Sequence, residues 1–295
     1  MNPTRFLFVL AVAFGLTGTA FAQEGTLKKI RDSGSITIGH RDASIPFSYY
    51  DDKQQPVGYA VDLCMKIVDA VKAELKMPKL EVKYQLVTSA NRIPLMANGT
   101  IDLECGSTTN NLERQKQVAF SPIIFVAGTK LLVKRGSPIR SYRDLAGKTV
   151  VVTAGTTNEK AMQDLARRFK LDFKLTTARD HDQSYARLES GKVDAFATDD
   201  VLLYGLLAQN KSQKEYQVVG EFLSYDPYGI MFRRGDPQLA ELVKLAFHDL
   251  AEDGEIERQY KRWFLQRLPG GGQSVDLPMS PQLESLIRAM AAKPE

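Results

Sequence analysis

The sequence predicts an α/β protein of two units, each a mostly parallel sheet with helices on both faces. Short runs rich in β-branched and aromatic residues alternate with stretches of helical periodicity, and the alternation restarts after Thr129. A β-α-β-α order is typical of parallel sheets that are covered by helices. About 270 residues follow the first 22, which is enough for two ordinary domains.

The first 22 residues have the pattern of a cleavable secretory signal. Arg5 precedes the apolar run 6–16, and the small residues Ala20 and Ala22 occupy the positions that a signal peptidase recognises. The apolar run is too short to span a bilayer. We therefore expect cleavage near Ala22 and an exported product. Since no Cys directly follows the cleavage site, a lipid anchor on the new N-terminus is not expected.

The first unit begins with a strand and a helix whose pattern is clear. The helix is predicted from apolar residues at three- and four-residue spacing: Val61, Cys64, Val68, Val71 and Leu75. The remaining elements follow the same alternation, and Asn98-Gly99 ends the second helix. The predicted strands are 36–39, 80–87 and 101–105, and the predicted helical segments are 61–75, 92–98 and 112–117.

The second unit repeats this order, and a further set of elements follows it. The predicted strands are 129–133, 149–152, 173–175 and 193–197, and the helices are 159–169, 183–190 and 201–207. A strand at 229–232 and helices at 237–252 and 255–264 come next, then a Gly- and Pro-rich tail and a last helix at 282–292. Periodicity does not show whether these last segments rejoin the first unit.

Charge and cysteine content limit the function classes. The formal net charge of +4 becomes +3 without Arg5, which argues against nucleic acid and is compatible with an anionic ligand or simply a solubilising surface. Cys64 and Cys105 form either one disulfide or two small buried core residues. Two cysteines and three scattered histidines show no ligand spacing, so neither a metal nor another cofactor is expected.

Polar clusters follow several of the predicted strands. Guanidinium groups bind carboxylates through paired hydrogen bonds, and hydroxyl-rich helix starts offer backbone N–H groups to anions. A single cluster of this kind is most often a helix cap. Their repetition at the carboxyl ends of strands, where ligands of α/β sheets bind, predicts one shared cleft. The clusters are 40–42, 88–92, 106–111 with Arg114, 155–158 and 198–200.

Enzyme signatures are absent from the sequence. It contains no Gly-x-Ser-x-Gly elbow, no Walker loop and no Gly-x-Gly-x-x-Gly after a strand. His181, beside Asp180 and Asp182, is either a general base or a surface histidine. A binding function is therefore preferred, and no catalytic residue is assigned.

These segments resemble the periplasmic glutamate/aspartate-binding proteins of ABC import systems, which are type II periplasmic binding proteins of solute-binding family 3. The resemblance runs from Leu27 to Leu268. It implies two lobes joined by two β-crossovers, a periplasmic location, an inner-membrane ABC permease as partner, and a monomer. The matching runs are 39–51, 88–95, 103–115, 150–153 and 155–157.

The resemblance also implies where the lobes begin and end. Lobe I would comprise 23–125 and 222–295, including the C-terminal tail 269–295, and lobe II would comprise 126–221. The sequence departs from the pattern at Thr198 and in the long tail. The tail is expected to be an extra surface helix or a loose end.

Nine ligand-binding residues follow from the same resemblance. Arg114 would bind the α-carboxylate, completed by Ser107, Thr109 and Thr157, and Asp199 with Ser107 would bind the α-amino group. The pocket for the ligand's side chain would consist of Arg41, Ser89, Arg92 and His181.

This pocket composition favours an acidic ligand. Two arginines repel a cationic side chain, and a neutral amide would leave guanidinium groups partly unpaired, at about 1–3 kcal/mol for each buried unpaired polar group. Glutamate and aspartate differ by one methylene, about 1–3 kcal/mol, so the sequence does not rank them. The alternative is a periplasmic enzyme on the same fold, similar to cyclohexadienyl dehydratase.

Overall fold

Two five-stranded sheets, one in each lobe, form the frame of the computed structural model, which describes residues 25–292. The predicted signal segment 1–22 lies outside the described residues. The helices are α1 (Thr26–Ser33), α2 (Tyr59–Leu75), α3 (Arg92–Ala97), α4 (Thr157–Phe169), α5 (His181–Glu189), α6 (Asp200–Asn210), α7 (Pro237–Glu252), α8 (Glu255–Phe264) and α9 (Pro281–Ala291). Within the described residues, no helix is both long and apolar enough to cross a membrane.

The strands are short, and most of them lie in the two main sheets. They are β1 (Ser35–His40), β2 (Ala43–Ser44), β3 (Ser48–Tyr50), β4 (Pro56–Val57), β5 (Glu81–Leu86), β6 (Leu103–Glu104), β7 (Val118–Phe120), β8 (Phe125–Ala127), β9 (Thr129–Lys134), β10 (Thr149–Thr153), β11 (Lys174–Ala178), β12 (Ala195–Asp199), β13 (Tyr216–Val219), β14 (Asp226–Tyr228) and β15 (Met231–Arg233).

Both sheets have the same strand plan. The order in lobe I is β5-β1-β6-β15-β7, with β1 parallel to β5 and β6 and with β15 antiparallel to both of its neighbours. The order in lobe II is β11-β10-β12-β9-β13, with β10 parallel to β11 and β12 and with β9 antiparallel to both of its neighbours. The predicted mixed, mostly parallel fold is confirmed.

The chain passes between the lobes twice, and the two crossings pair with each other. Strands β8 and β14 form an antiparallel two-stranded sheet. Phe125 of β8 stacks on Phe264 of α8 with ring centroids 5.1 Å apart, and Tyr228 of β14 packs edge-on against Phe47 at 5.1 Å. Buried aromatic pairs of this kind contribute beyond their buried area. The crossovers therefore rest on a packed aromatic base.

Local sequence explains why the helices of lobe II begin at the cleft. The Thr156 hydroxyl accepts a hydrogen bond from the Glu159 backbone N–H at 3.2 Å, and the Asp180 carboxylate accepts one from the Gln183 N–H at 2.8 Å. Both are N-caps, which satisfy donors that a helix start otherwise leaves unpaired. The caps fix the first residues of α4 and α5, Thr157 and His181, directly after the ends of β10 and β11.

A disulfide joins Cys64 in α2 to Cys105, which directly follows β6. Both residues are fully buried, and the apolar stripe predicted for α2 is buried as well. The bridge therefore ties the main helix of lobe I to the strand end that leads into the segment 106–109.

Helix α1 was not predicted, because its eight residues bury only Thr26, Leu27 and Ile30 and show too little periodicity. Its start is held by a contact that is distant in sequence: the Thr26 N–H donates to the Asp236 carboxylate at 2.7 Å. The same carboxylate caps α7 through the Leu239 N–H at 3.1 Å.

The described part of the C-terminal tail, residues 269–292, contacts both lobes. Its helix α9 packs on α7 and contacts β8. Before α9, the Gln273 N–H donates to the Ala208 carbonyl in α6 at 2.9 Å, and Gln282 donates to the Tyr225 hydroxyl beside β14 at 2.7 Å. Of the two expectations for the tail, the extra helix is therefore confirmed.

Candidate functional site

The two lobes face each other across a narrow, nearly filled cavity of about 10 Å³. Seven of the nine residues predicted from the sequence line it, and Arg41 and Arg114 do not. The lining residues lie after strands or at helix starts of both lobes. They are Ser89, Arg92, Ser107, Thr109, Thr156, Thr157, Asn158, His181, Asp199 and Leu202.

Arg41 and Arg92 place two guanidinium groups in the interior of lobe I. Arg41 follows β1 and is fully buried, and none of its three guanidinium nitrogens has a hydrogen-bond partner among residues 25–292. Burial, followed by the charge of Arg92, lowers the pKa of Arg41 to about 10, so it stays protonated at neutral pH. The buried Ser89 hydroxyl also has no partner in the described part of the chain. This end of the site therefore holds buried hydrogen-bond donors that no described residue satisfies.

Glu104 lies among these cations, and sequence reasoning did not select it. The residue is fully buried, and its Oε1 is 3.8 Å from Arg92 Nη1. Thr108 connects the two groups, because its hydroxyl donates to Glu104 and accepts from Arg92. Glu104 is part of the run 103–115 that carries the family resemblance, but an acidic side chain beside a cysteine is not by itself a sign of a site.

Arg114 lies behind the hydroxyl groups of the cavity. It begins a short 3₁₀ turn, and its Nη1 donates to the Thr109 carbonyl at 3.0 Å. Burial, followed by the charge of Arg92, lowers the pKa of Arg114 to about 10. The Thr109 hydroxyl lies 3.2 Å from the Thr157 hydroxyl, which is a direct contact between lobe I and lobe II.

Asp199 ends β12 and is the buried carboxylate of lobe II. It accepts hydrogen bonds from Asn158 Nδ2 at 2.7 Å and from the Tyr228 hydroxyl. Burial, followed by the nearby charge of Asp226, raises the pKa of Asp199 well above its ordinary value. Sequence reasoning missed three of these groups. Asn158 was inside a polar cluster already noted, whereas Asp226 and Tyr228 lie on the returning crossover, which carried no recognisable pattern.

His181 is the first residue of α5 and is almost completely buried. Its Nδ1 lies 2.8 Å from the Thr153 hydroxyl. Burial and the charges of Arg41 and Arg92 lower the pKa of His181 well below its usual value. The imidazole is therefore neutral at physiological pH and adds hydrogen-bonding capacity without adding charge.

In the part of the chain that the structure describes, one set of side chains has metal-ligand spacing, and it lies on α7. The ligand atoms of His248, Asp249 and Glu252 are within 4.8 Å of one another. Two of these side chains are exposed, and α7 contributes no residue to the cavity between the lobes. The cluster is unrelated to the site.

Comparison with known proteins places this geometry in context. The model of the bacterial extracellular solute-binding proteins, family 3, matches residues 36–266. The L-glutamate/L-aspartate-binding protein of Pseudomonas aeruginosa is 47% identical over 285 residues, covering 96% of this chain and 94% of that protein. The glutamate/aspartate import solute-binding protein of Escherichia coli K12 is 43% identical over 290 residues, covering 97% and 96%.

Solved structures show the same fold. An ancestral amino-acid-binding protein, described as a precursor of cyclohexadienyl dehydratase, superposes with a TM-score of 0.69 at 30% identity, covering 81% of this chain and 99% of that one. A histidine-bound substrate-binding protein of an ABC uptake transporter from Streptococcus pneumoniae superposes at 0.73 with 21% identity, covering 82% and 97%. The cleft between two matched lobes, the aromatic base at the crossovers and these similarities agree: the chain belongs to family 3 of the bacterial extracellular solute-binding proteins.

Proposed function

We propose that this protein captures glutamate or aspartate in the periplasm and delivers it to an inner-membrane ABC permease. One observation carries the proposal: Arg41 is fully buried with no acceptor among residues 25–292 and lies near Arg92 and the neutral His181. A buried guanidinium without an acceptor is costly. A ligand whose side chain ends in a carboxylate supplies the missing acceptor.

The charge at this end separates the candidate ligands. A lysine or arginine ligand would bring a third cation next to Arg41 and Arg92. A glutamine ligand would offer one carbonyl oxygen and direct an amide N–H₂ at groups that are themselves donors. A carboxylate offers two oxygens, accepts bidentate hydrogen bonds and balances charge. The side-chain pocket of Arg41, Ser89, Arg92 and His181 therefore fits an acidic amino acid best.

The opposite end of the cavity suits the backbone groups of an amino acid. We assign the α-carboxylate to Arg114, with the hydroxyls of Ser107, Thr109 and Thr157 beside it. The α-ammonium is assigned to Asp199 with help from Ser107. Asn158 and Tyr228 already hold the Asp199 carboxylate from two sides, which keeps it aimed at one position.

Ligand capture would proceed by closing the lobes over the amino acid, as in hinge proteins that bind solutes. We propose lobe I as 23–125 plus 222–295 and lobe II as 126–221, with cleavage of the signal near Ala22 and a monomeric mature protein. The P. aeruginosa and E. coli relatives are binding proteins rather than enzymes. The dehydratase alternative is not favoured, because the acidic and basic groups of the cleft are suited to clamping two carboxylates and an ammonium.

Calorimetric titration tests this function. The mature protein is unfolded and refolded to remove any ligand that co-purifies, and then titrated with glutamate, aspartate, glutamine and lysine. We expect tight binding of one or both acidic ligands and little response to the other two. Preference for glutamine or lysine would contradict the assigned side-chain pocket. Silence to all four, with turnover of a cyclic carboxylic acid, would favour the enzyme.

A further inference from the structure

Glu104 is a buried carboxylate for which the binding roles assigned above have no use. It ends β6 and is fully buried, and its Oε2 accepts from the Thr108 hydroxyl. The backbone passes close to it: a Cβ added at Gly106 would lie 2.4 Å from Glu104 Oε1 and 2.9 Å from Arg41 Cγ. Because no side chain fits between them, Glu104 and Arg41 are packed against the same stretch of backbone.

The second contact of Glu104 is electrostatic. Its Oε1 lies 3.8 Å from Arg92 Nη1 and has no hydrogen-bond partner in the described residues. Its charge also favours the protonated forms of Arg41 and Arg114. One carboxylate of the protein therefore serves several buried guanidinium groups, and it reaches the cavity only through them.

The formal charge at the side-chain end can be counted from these groups. Arg41 and Arg92 contribute two positive charges, Glu104 contributes one negative charge, and His181 is neutral. Asp42 and Asp180 also act on Arg41, but more weakly than Glu104 does, and are left out of the count. The remaining charge is a single positive one. A single carboxylate at the tip of a ligand neutralises it, whereas an amide leaves it unbalanced in a buried site.

We propose that Glu104 is a specificity-determining residue. It lowers the net charge of the side-chain end to +1, which one carboxylate neutralises, and it holds Arg92 through Thr108. The inference rests on the proposed function. Glu104 acts through the arginines and does not touch the ligand. Without its charge, the same two arginines would present two positive charges to the tip of the ligand.

Glutamate and glutamine provide the test, because they have nearly the same shape and differ by one charge at the tip. The quantity measured is the Kd for glutamine divided by the Kd for glutamate. Glu104→Gln keeps an acceptor oxygen for Thr108 and removes the charge, so we expect this ratio to rise roughly tenfold. Glu104→Asp keeps the charge and is expected to leave the ratio near that of the wild type. An unchanged ratio in Glu104→Gln would show a purely structural role, and a lower ratio would contradict the inference.

A second pair of variants applies if Glu104→Gln does not fold. Arg92→Gln brings the charge at this end to zero, and adding Glu104→Gln returns it to one. Replacing both partners of a buried ion pair is better tolerated than replacing one. The double variant should therefore exceed Arg92→Gln in the same ratio by roughly tenfold, and equal ratios would overturn the inference. Wild-type protein that binds no glutamate would refute the proposed function instead, whereas wild-type binding without any change of ratio refutes only the role of Glu104.

Discussion

The two lobes share one strand plan but place different chemistry at the cleft. Lobe I, with the order β5-β1-β6-β15-β7, buries Arg41, Arg92 and Arg114 together with Glu104. Lobe II, with the order β11-β10-β12-β9-β13, presents hydroxyls, a neutral histidine and one carboxylate. The same topology therefore brings strand ends and helix starts to the cleft on both sides, while the residues at those ends decide what each side does.

This difference in chemistry gives the two lobes different roles: lobe I captures the ligand, and lobe II contacts it on closure. Full charges act over a longer range than hydroxyl groups, so lobe I can attract and orient an anion before the lobes meet. The groups of lobe II act at hydrogen-bond distance and contribute only when the cleft closes. Lobe I is also the lobe that contains the disulfide between Cys64 and Cys105. One architecture therefore carries a half rich in arginine and a half rich in hydroxyl groups with a single carboxylate.

Replacing the lobe I cation at the α-carboxylate end should have the largest effect. We expect Arg114→Ala to weaken glutamate binding at least about a hundredfold, because it removes a buried charged hydrogen-bond donor. Calorimetry measures the change. The matched control is Arg143→Ala, an exposed arginine of lobe II paired with Glu221, which should bind as the wild type does. Near wild-type affinity in Arg114→Ala would remove that residue from the site.

Closure of lobe II onto lobe I can be tested without replacing any polar side chain. Gly155 has a φ of +75°, and a Cβ there would lie 2.7 Å from Ala90 Cα in lobe I. Gly147 has a similar φ of +70° but no atom within 4 Å of the added carbon. Alanine at either position costs about 1–2 kcal/mol of unfolding free energy through its left-handed backbone.

Only Gly155→Ala should also weaken glutamate binding, roughly tenfold, because the added methyl group obstructs closure. Small-angle scattering at saturating glutamate should then show a more open molecule than the wild type or Gly147→Ala. If the two variants bind glutamate equally well, contact at Gly155 does not limit closure.

The smallest expected effect is on how the stability of the protein depends on pH, and it involves groups of both lobes. The arginines of lobe I help to lower the pKa of His181 in lobe II. The folded protein keeps this imidazole neutral while the unfolded chain takes up a proton as pH falls below about 6.5. The stability from His181 is therefore present above that pH and is lost below it, by up to about 1.4 kcal/mol per pH unit.

Urea unfolding of the ligand-free protein at pH 7.5, 6 and 5 measures this loss. His181→Asn should show a shallower decline of unfolding free energy between pH 6 and pH 5 than the wild type. Identical slopes would mean that other groups dominate the acid response.

The sequence predicted the parts of the site that follow a rule of the fold. Parallel strands end at a common edge, so polar clusters after β1, β5, β6, β10 and β12 were expected to meet, and seven of the nine named residues do line one cavity. Capped helix starts likewise gave α4 and α5 to within a few residues. Both rules depend on local pattern, which a single chain displays.

Other features depend on contacts between distant segments and left no local pattern. Tyr228 reaches Asp199 only because the returning crossover pairs with β8, and Asp226 accepts from Thr109 at 3.0 Å across 117 positions of sequence. Glu104 looks like any acidic residue until its burial is known. The start of α1 is secured by Asp236, 210 positions away.

The C-terminal tail gives the hinge an additional mechanical connection. Gln273 holds the end of α6, Gln282 holds Tyr225 beside a crossover, and α9 lies on α7 and β8. When the lobes move apart, these contacts of the tail must stretch or slide. The tail therefore resists opening of the cleft together with the two crossovers. A reporter group placed on α9 would therefore sense movement of one lobe against the other.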